Sequence, residues 1–147
     1  MSARPLRGAV LAFDFGEKRI GVAVGEIELA IPHALTVIAA EDNDRRFAGV
    51  AALIAEWRPV QLVVGVAGHA DGSAHETGRL ARRFGQRLTG RFSLPVDFVD
   101  ERLTSHVAEA MLRESGVRAD KRAALIDAAA AAEILRTWFE TLPKQAA

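Results

Sequence analysis

The stretch Gly8-Ala-Val-Leu-Ala-Phe-Asp-Phe-Gly-Glu-Lys-Arg-Ile-Gly-Val-Ala-Val-Gly25 decides the fold. Its first part, to Phe15, is almost continuously apolar, the pattern of a strand covered on both faces. Gly16-Glu17-Lys18 then turns the chain into a second apolar run, Ile20 to Val24, flanked by Gly21 and Gly25. Two such runs around a short polar turn predict a β-hairpin. An opening hairpin fits poorly with a doubly wound nucleotide-binding sheet, the competing architecture.

Downstream, a weaker third strand is predicted at Leu35 to Ile38. From Asp44 the period changes. Phe47, Val50, Ala51, Leu53, Ile54 and Trp57 recur at helical spacing, and Arg58-Pro59 stops the helix. Gln61 to Val66 reads as a short strand. A polar, glycine-rich loop, Gly68 to Ser73, leads into a helix carrying Leu80, Phe84 and Leu88. Pro95 to Val99 is the next strand. Thr104 or Ser105 can cap a short helix closed by Gly116, and Asp120 can cap a last helix running to about Leu142. The order β-β-β-α-β-α-β-α-α argues for an α/β sheet with helices on its faces.

Composition narrows the function. With 147 residues, half of them hydrophobic, and a mean hydropathy of +0.09, one domain spanning 1–147 can bury its own core. Nineteen basic and nineteen acidic residues leave no net charge, so no global field draws the chain to nucleic acid or membranes. The lack of cysteine excludes disulfide scaffolds, thiolate metal sites and a cysteine nucleophile. No uncharged apolar run approaches the ~18 residues of a spanning helix. Arg4 and Arg7 before Gly8 to Phe13 imitate a signal peptide, but Asp14 cuts it short. The expectation is a soluble, cytoplasmic protein.

Three acids stand where acids are costly. Asp14 is the only charge between Arg7 and Glu17, in the most hydrophobic strand. Ionised there, it needs a partner or a metal; the alternative is a strand-end aspartate bonded to its own turn. Asp127 is the sole charge from Ala123 to Ala132, beside the stripe Ala124, Ala128, Ala131, Leu135 and Trp138. Small alanines let a helix approach a sheet closely, although a solvated aspartate would also explain it. Asp100-Glu101 follow the apolar Phe98-Val99, where strand ends open into a crevice. Converging carboxylates repel unless a hard cation such as Mg²⁺ or Mn²⁺ sits between them. Two such ions can activate water and stabilise the leaving oxygen in phosphodiester hydrolysis.

Substrate contacts point to arginine. Sixteen of the nineteen basic residues are arginine, the better fork for phosphate. Between Glu76 and Asp97 there is no acid, yet Arg79, Arg83, Arg87 and Arg91 recur every four residues with Arg82 beside them. Such a stripe matches a nucleic-acid footprint or a plain solvated face. Lys18, Arg19, Arg102, Lys121 and Arg122 each lie near one candidate acid in sequence and can steady phosphates or balance charge. The four histidines show no metal-ligand spacing, and there is no GxxxxGK[ST] or GxGxxG motif.

Asp14-Phe-Gly-Glu-Lys-Arg-Ile-Gly-Val-Ala-Val24, Asp71-Gly-Ser73, Phe98-Val-Asp-Glu-Arg-Leu-Thr-Ser105 and Ile126-Asp127 in its alanine-rich helix together resemble the YqgF/RuvX family of pre-16S rRNA nucleases, also described as Holliday-junction-resolvase-like. The resemblance runs from Leu11 to about Phe139. It implies an RNase H-like fold: a mixed five-stranded sheet opened by a hairpin, with helices on both faces. It also implies a metal-binding catalytic set at Asp14, Glu101 and Asp127. Departures fall at Gly25-Glu26, where the family often has Ser-Asp, and in the loop Val66 to Ala70, which touches substrate contacts rather than the acids. The expected activity is metal-dependent cleavage of structured nucleic acid, first in 5′-end maturation of pre-16S rRNA. Resolution of branched DNA and non-catalytic RNA binding at the ribosome or in transcription are the alternatives.

Overall fold

The computed structural model describes residues 7–66, 72–100 and 119–142, with side chains described outside 72–77 and 119–124. Strands β1 (Ala9–Asp14), β2 (Arg19–Glu26) and β3 (His33–Ala39) precede helix α1 (Asn43–Trp57). Then come β4 (Gln61–Val66), α2 (Gly72–Phe92), β5 (Val96–Asp100) and α3 (Ala119–Thr141). The predicted helix from Thr104 to Gly116 lies outside the described residues.

The strands form one sheet in the order β3-β2-β1-β4-β5. The predicted hairpin is present: β1 and β2 pair antiparallel, with Asp14 opposite Gly21. β3 extends the antiparallel side, while β4 and β5 add parallel strands on the other. This puts β1 at the centre of a mixed sheet. It also explains the apolar run, since β1 is covered on both faces.

Alternation along β1 divides the core into two layers. Leu11, Phe13 and Phe15 meet Phe47 and Val50 of α1 and Ala81, Phe84 and Leu88 of α2. Val10 and Ala12 face the other way, toward Ala131, Ile134, Leu135 and Trp138 of α3. Helices therefore cover both faces, as expected. Trp138 ties α3 to the parallel edge: its buried indole Nε1 donates to Asp97 Oδ2 at 2.8 Å. A hydrogen bond to a charged acceptor contributes roughly 1.5–3 kcal/mol. Trp138→Phe should lower the free energy of unfolding by about 2 kcal/mol in a urea titration, and an unmoved midpoint would remove this bond from the account.

Strands other than β4 differ from the sequence reading by one or two residues at their ends, and four boundaries bear on the packing. β5 starts at Val96 because Pro95 has no N–H for the ladder; its carbonyl instead accepts from Leu62 N at 2.9 Å. α1 begins one residue before Asp44, with Asp42 as its cap accepting from Arg45 N. Gly72 and Ser73 belong to α2 rather than to the loop, and Asp120 sits inside the first turn of α3. First-turn N–H groups lack intrahelical partners in any sequence, so the exact start is weakly encoded. Trp57, predicted by spacing to join the core, is 37 % exposed at the last residue of α1.

Candidate active site

Asp14 is the last residue of β1, and alternation sets it on the Val10–Ala12 face, which α3 covers. In the ladder it lies between Gly21 of β2 and Gly65 of β4, and Gly65 in turn pairs with Val99 of β5. The parallel strands β1, β4 and β5 thus end in one row. Neither immediate neighbour of Asp14 in the ladder carries a side chain.

Gly21 also decides how close α3 comes. A Cβ built on Gly21 would lie 1.9 Å from the Asp127 carbonyl oxygen and 3.0 Å from Ala128 N. The helix backbone therefore rests directly on the β2 backbone. Farther along, a Cβ on Gly25 would lie 2.7 Å from the Ile31 carbonyl oxygen and 3.0 Å from the ring of Phe139. The alanines Ala128 and Ala131 are buried at this contact, as their spacing predicted. Gly21 thus adjoins both Asp14, its ladder partner, and the backbone of Asp127.

Asp127 is half-buried, its side chain 22 % exposed. Arg19, beginning β2, places Nε 2.9 Å from Asp127 Oδ2. The contact is an ion pair without good alignment, because the buried Oδ2 receives no well-formed hydrogen bond. Burial pushes the Asp127 carboxyl above its ordinary value, and the Arg19 guanidinium beside it pulls only partly the other way. A carboxylate that is desolvated and under-bonded is a donor for additional positive charge. Oxygen donors of this kind fit a hard divalent cation.

Glu101, the third predicted acid, lies outside the described residues, as does Arg102. Lys121 and Arg122 fall in α3, beyond its described side chains. Among the described residues no three metal-ligating side chains converge; of the predicted set, Asp14 and Asp127 are described, and both adjoin Gly21. Lys18 is exposed in the hairpin turn.

The predicted arginine stripe takes shape on the opposite face. Arg79, Arg83 and Arg91 are exposed and Arg87 is half-buried, while Leu80, Phe84 and Leu88 turn inward. The Arg91 guanidinium lies 4.1 Å from the centroid of Phe47, and Arg82 lies 5.5 Å from that of Phe98. Arg83 and Arg87 line a groove of about 230 Å³ together with Arg46 of α1. Sequence reading missed Arg46. A signal exists, because an arginine in a first helical turn opposes the macrodipole and needs a tertiary reason.

The chain matches the family described as RuvX, Holliday junction resolvase, over residues 8–141. A protein of Dechloromonas aromatica, provisionally named a pre-16S rRNA nuclease, is 60 % identical across 91 % of this chain and 92 % of its own. Proteins with the same name from Methylobacillus flagellatus and Neisseria meningitidis are 52 % and 49 % identical, over 92 % and 95 % of this chain and 93 % and 92 % of theirs. Among solved structures, T. thermophilus RuvC in complex with a Holliday junction aligns with a TM-score of 0.55 at 18 % identity, covering 90 % of this chain and 93 % of that one. That likeness carries the fold, which is the RNase H-like α/β one.

Proposed function

The chain belongs to the RuvX family, and on that premise we propose that it is a metal-dependent nuclease that hydrolyses phosphodiester bonds in the 5′-end maturation of pre-16S rRNA. The observation that carries this reading is the half-buried, under-bonded Asp127 held against Gly21, directly opposite Asp14. The relatives in three organisms, matched nearly end to end and provisionally named pre-16S rRNA nucleases, support this choice of substrate.

Asp14, Glu101 and Asp127 would hold Mg²⁺ or Mn²⁺, which supplies an activated water and charge on the leaving oxygen. The chain's own part is placement. The central strand fixes Asp14, and the Gly21 contact fixes the helix bearing Asp127. Arg19 balances Asp127 until other charge arrives, and with Lys18 it stands where a phosphate can be met. Arg79, Arg83, Arg87, Arg91, Arg102, Lys121 and Arg122 are assigned to phosphate contacts that orient the strand without reading bases. No helix among the described residues is long and apolar enough to cross a membrane, and a ribosomal precursor as substrate assigns the protein to the cytoplasm.

A cleavage panel tests the reading. Precursor rRNA should be cut only with Mg²⁺ or Mn²⁺ present. Cutting of four-way DNA junctions with precursor rRNA untouched would transfer the activity to branched DNA. Binding of either substrate without cleavage, under both ions, would leave an RNA-binding factor and end the nuclease reading. Ion binding has its own thermal signature. At tenfold excess over Kd, a ligand of the native state adds about 1.4 kcal/mol, or about 3–6 °C for a domain this size. Melting curves with and without Mg²⁺ should show that shift, and Asp14→Asn should lose it.

A further inference from the structure

We infer that the groove between α1 and α2 is a docking site for the sugar-phosphate backbone of the nucleic acid, set on the face of the sheet opposite the acids. The identity of the ligand rests on the nuclease reading; the site itself does not. Three arginines from two helices converge there: Arg46, Arg83 and Arg87. Among the described residues no acid lines the groove, and neither Arg83 nor Arg87 pairs with a carboxylate. In a protein without net charge, three unbalanced cations around one concavity repel each other and attract an anion.

One arginine at the rim, Arg46, is held in place before any ligand arrives. Arg46 donates from Nε to the Ala40 carbonyl at 3.1 Å and from a terminal nitrogen to the Glu17 carbonyl. Its guanidinium also lies 5.5 Å from the centroid of Phe15. Arg91, just along α2, rests on Phe47. Such cation–π and hydrogen-bond anchoring reduces the ordering cost of binding.

The floor selects phosphate over base. Phe15, Phe47 and Phe84 form one ring cluster, with centroids 5.1 and 5.8 Å from Phe84. None of the three is more than 9 % exposed, so no ring offers an open face for stacking. What remains to a ligand is forked N–H donors, the partner of phosphate oxygens. A polymer fits better than a free ion. Arg79 to Arg91 run along about 18 Å of helix at 1.5 Å per residue, a line of charge rather than a point.

Topology links this groove to the acids. Phe15 on its floor directly follows Asp14, and alternation sends the two to opposite faces. A strand seated in the groove must pass around the end of β1 to reach Asp14 and Asp127. Binding is therefore bipartite, and a substrate too short to make that passage loses the groove's share of affinity.

The test uses Asp14→Asn in metal-free buffer, so that no cleavage intervenes, and 20-nucleotide single-stranded RNAs of unrelated sequence. Adding Arg83→Gln and Arg87→Gln should lower the log–log salt slope of binding by about 1.4, roughly 0.7 per phosphate contact. Affinity near 0.1 M salt should fall by about tenfold for every sequence alike, with the melting temperature unchanged. Equal affinity and slope in both proteins overturns the groove while leaving the nuclease reading intact. Conversely, a groove that binds in a chain that never cleaves keeps this proposal and ends the other. Nε–Hε NMR signals of Arg83 and Arg87 in the Asp14→Asn chain give a readout independent of folding. They should shift with the RNA and not with inorganic phosphate at equal phosphate concentration. Equal shifts with both would make the groove a free-anion site and overturn the assignment to a polymer.

Discussion

One methyl group at position 21 should cost the protein both stability and activity. Gly21 is the buried third residue of the hairpin's second strand, and an alanine Cβ there would lie 1.9 Å from the Asp127 carbonyl oxygen. The obstacle is helix backbone, which cannot rotate away as a side-chain tip does. Either α3 lifts from the sheet or β2 bows away from β1. Overpacking of this kind costs 1–3 kcal/mol in ordinary cores and more where nothing yields, so about 3 kcal/mol is expected here. In a domain of this size that lowers Tm by about 10 °C. Cleavage should fall further than stability alone explains, because the displaced segment carries Asp127, and misplacing a catalytic group by 1 Å can cost about 10²-fold. Gly90→Ala is the control. A Cβ at Gly90 meets nothing within 4 Å, so that variant should gain roughly 0.5–1 kcal/mol through helix propensity. Thermal melts and cleavage rates of the two alanine variants decide the matter: a Gly21→Ala protein as stable and active as wild type means that α3 does not rest on β2 as described.

The contrast between Asp127 and Gly21 shows what the sequence discloses and why. Asp14 and Asp127 stand out because each interrupts an apolar run, and burying an isolated charge is costly enough to demand a reason. The hairpin, the change of period at Asp44 and the alanine stripe are equally local signals. They predict the elements and the two-faced sheet that the structure shows. Gly21 is equally visible as a letter, and a strand glycine suggests close approach of some backbone. Nothing local says that the backbone is at residue 127, because that contact joins segments more than a hundred residues apart. Arg46 is hidden for the same reason, since its partners Phe15 and Glu17 come from the hairpin turn and Arg83, which lines the same groove, comes from α2. Trp57 errs in the opposite sense. Its helical spacing is right, but α1 ends at that residue, and spacing alone does not report where a helix leaves its neighbours.

Replacing Asp127 with asparagine should abolish cleavage and, in metal-free neutral buffer, leave the protein at least as heat-stable as wild type. The sign follows from linkage. Burial holds the folded-state pKa of Asp127 above the unfolded value of 3.8, with Arg19 offsetting part of the shift. Between those two values the native state binds more protons than the unfolded chain, so this group's contribution to stability falls as pH rises through the window. Above the window the ionised carboxylate is a net cost to folding. Asparagine keeps the shape and carries no charge at any of these pH values. The variant's advantage in melting temperature should therefore be absent below the unfolded pKa, grow as pH rises and level off near neutrality. The lost ion pair subtracts little, since Arg19 is 49 % exposed and such pairs are weak in water. Activity should move the other way, falling about 10²–10³-fold or more, the scale of removing one charge contact to the transition state. Adding Mg²⁺ should reverse the order of stability, because the ion's contribution requires the carboxylate that the variant lacks. A variant that melts several degrees below wild type at pH 7 would instead make Asp127 a structural partner of Arg19. Unimpaired cleavage at limiting metal would remove it from the site altogether.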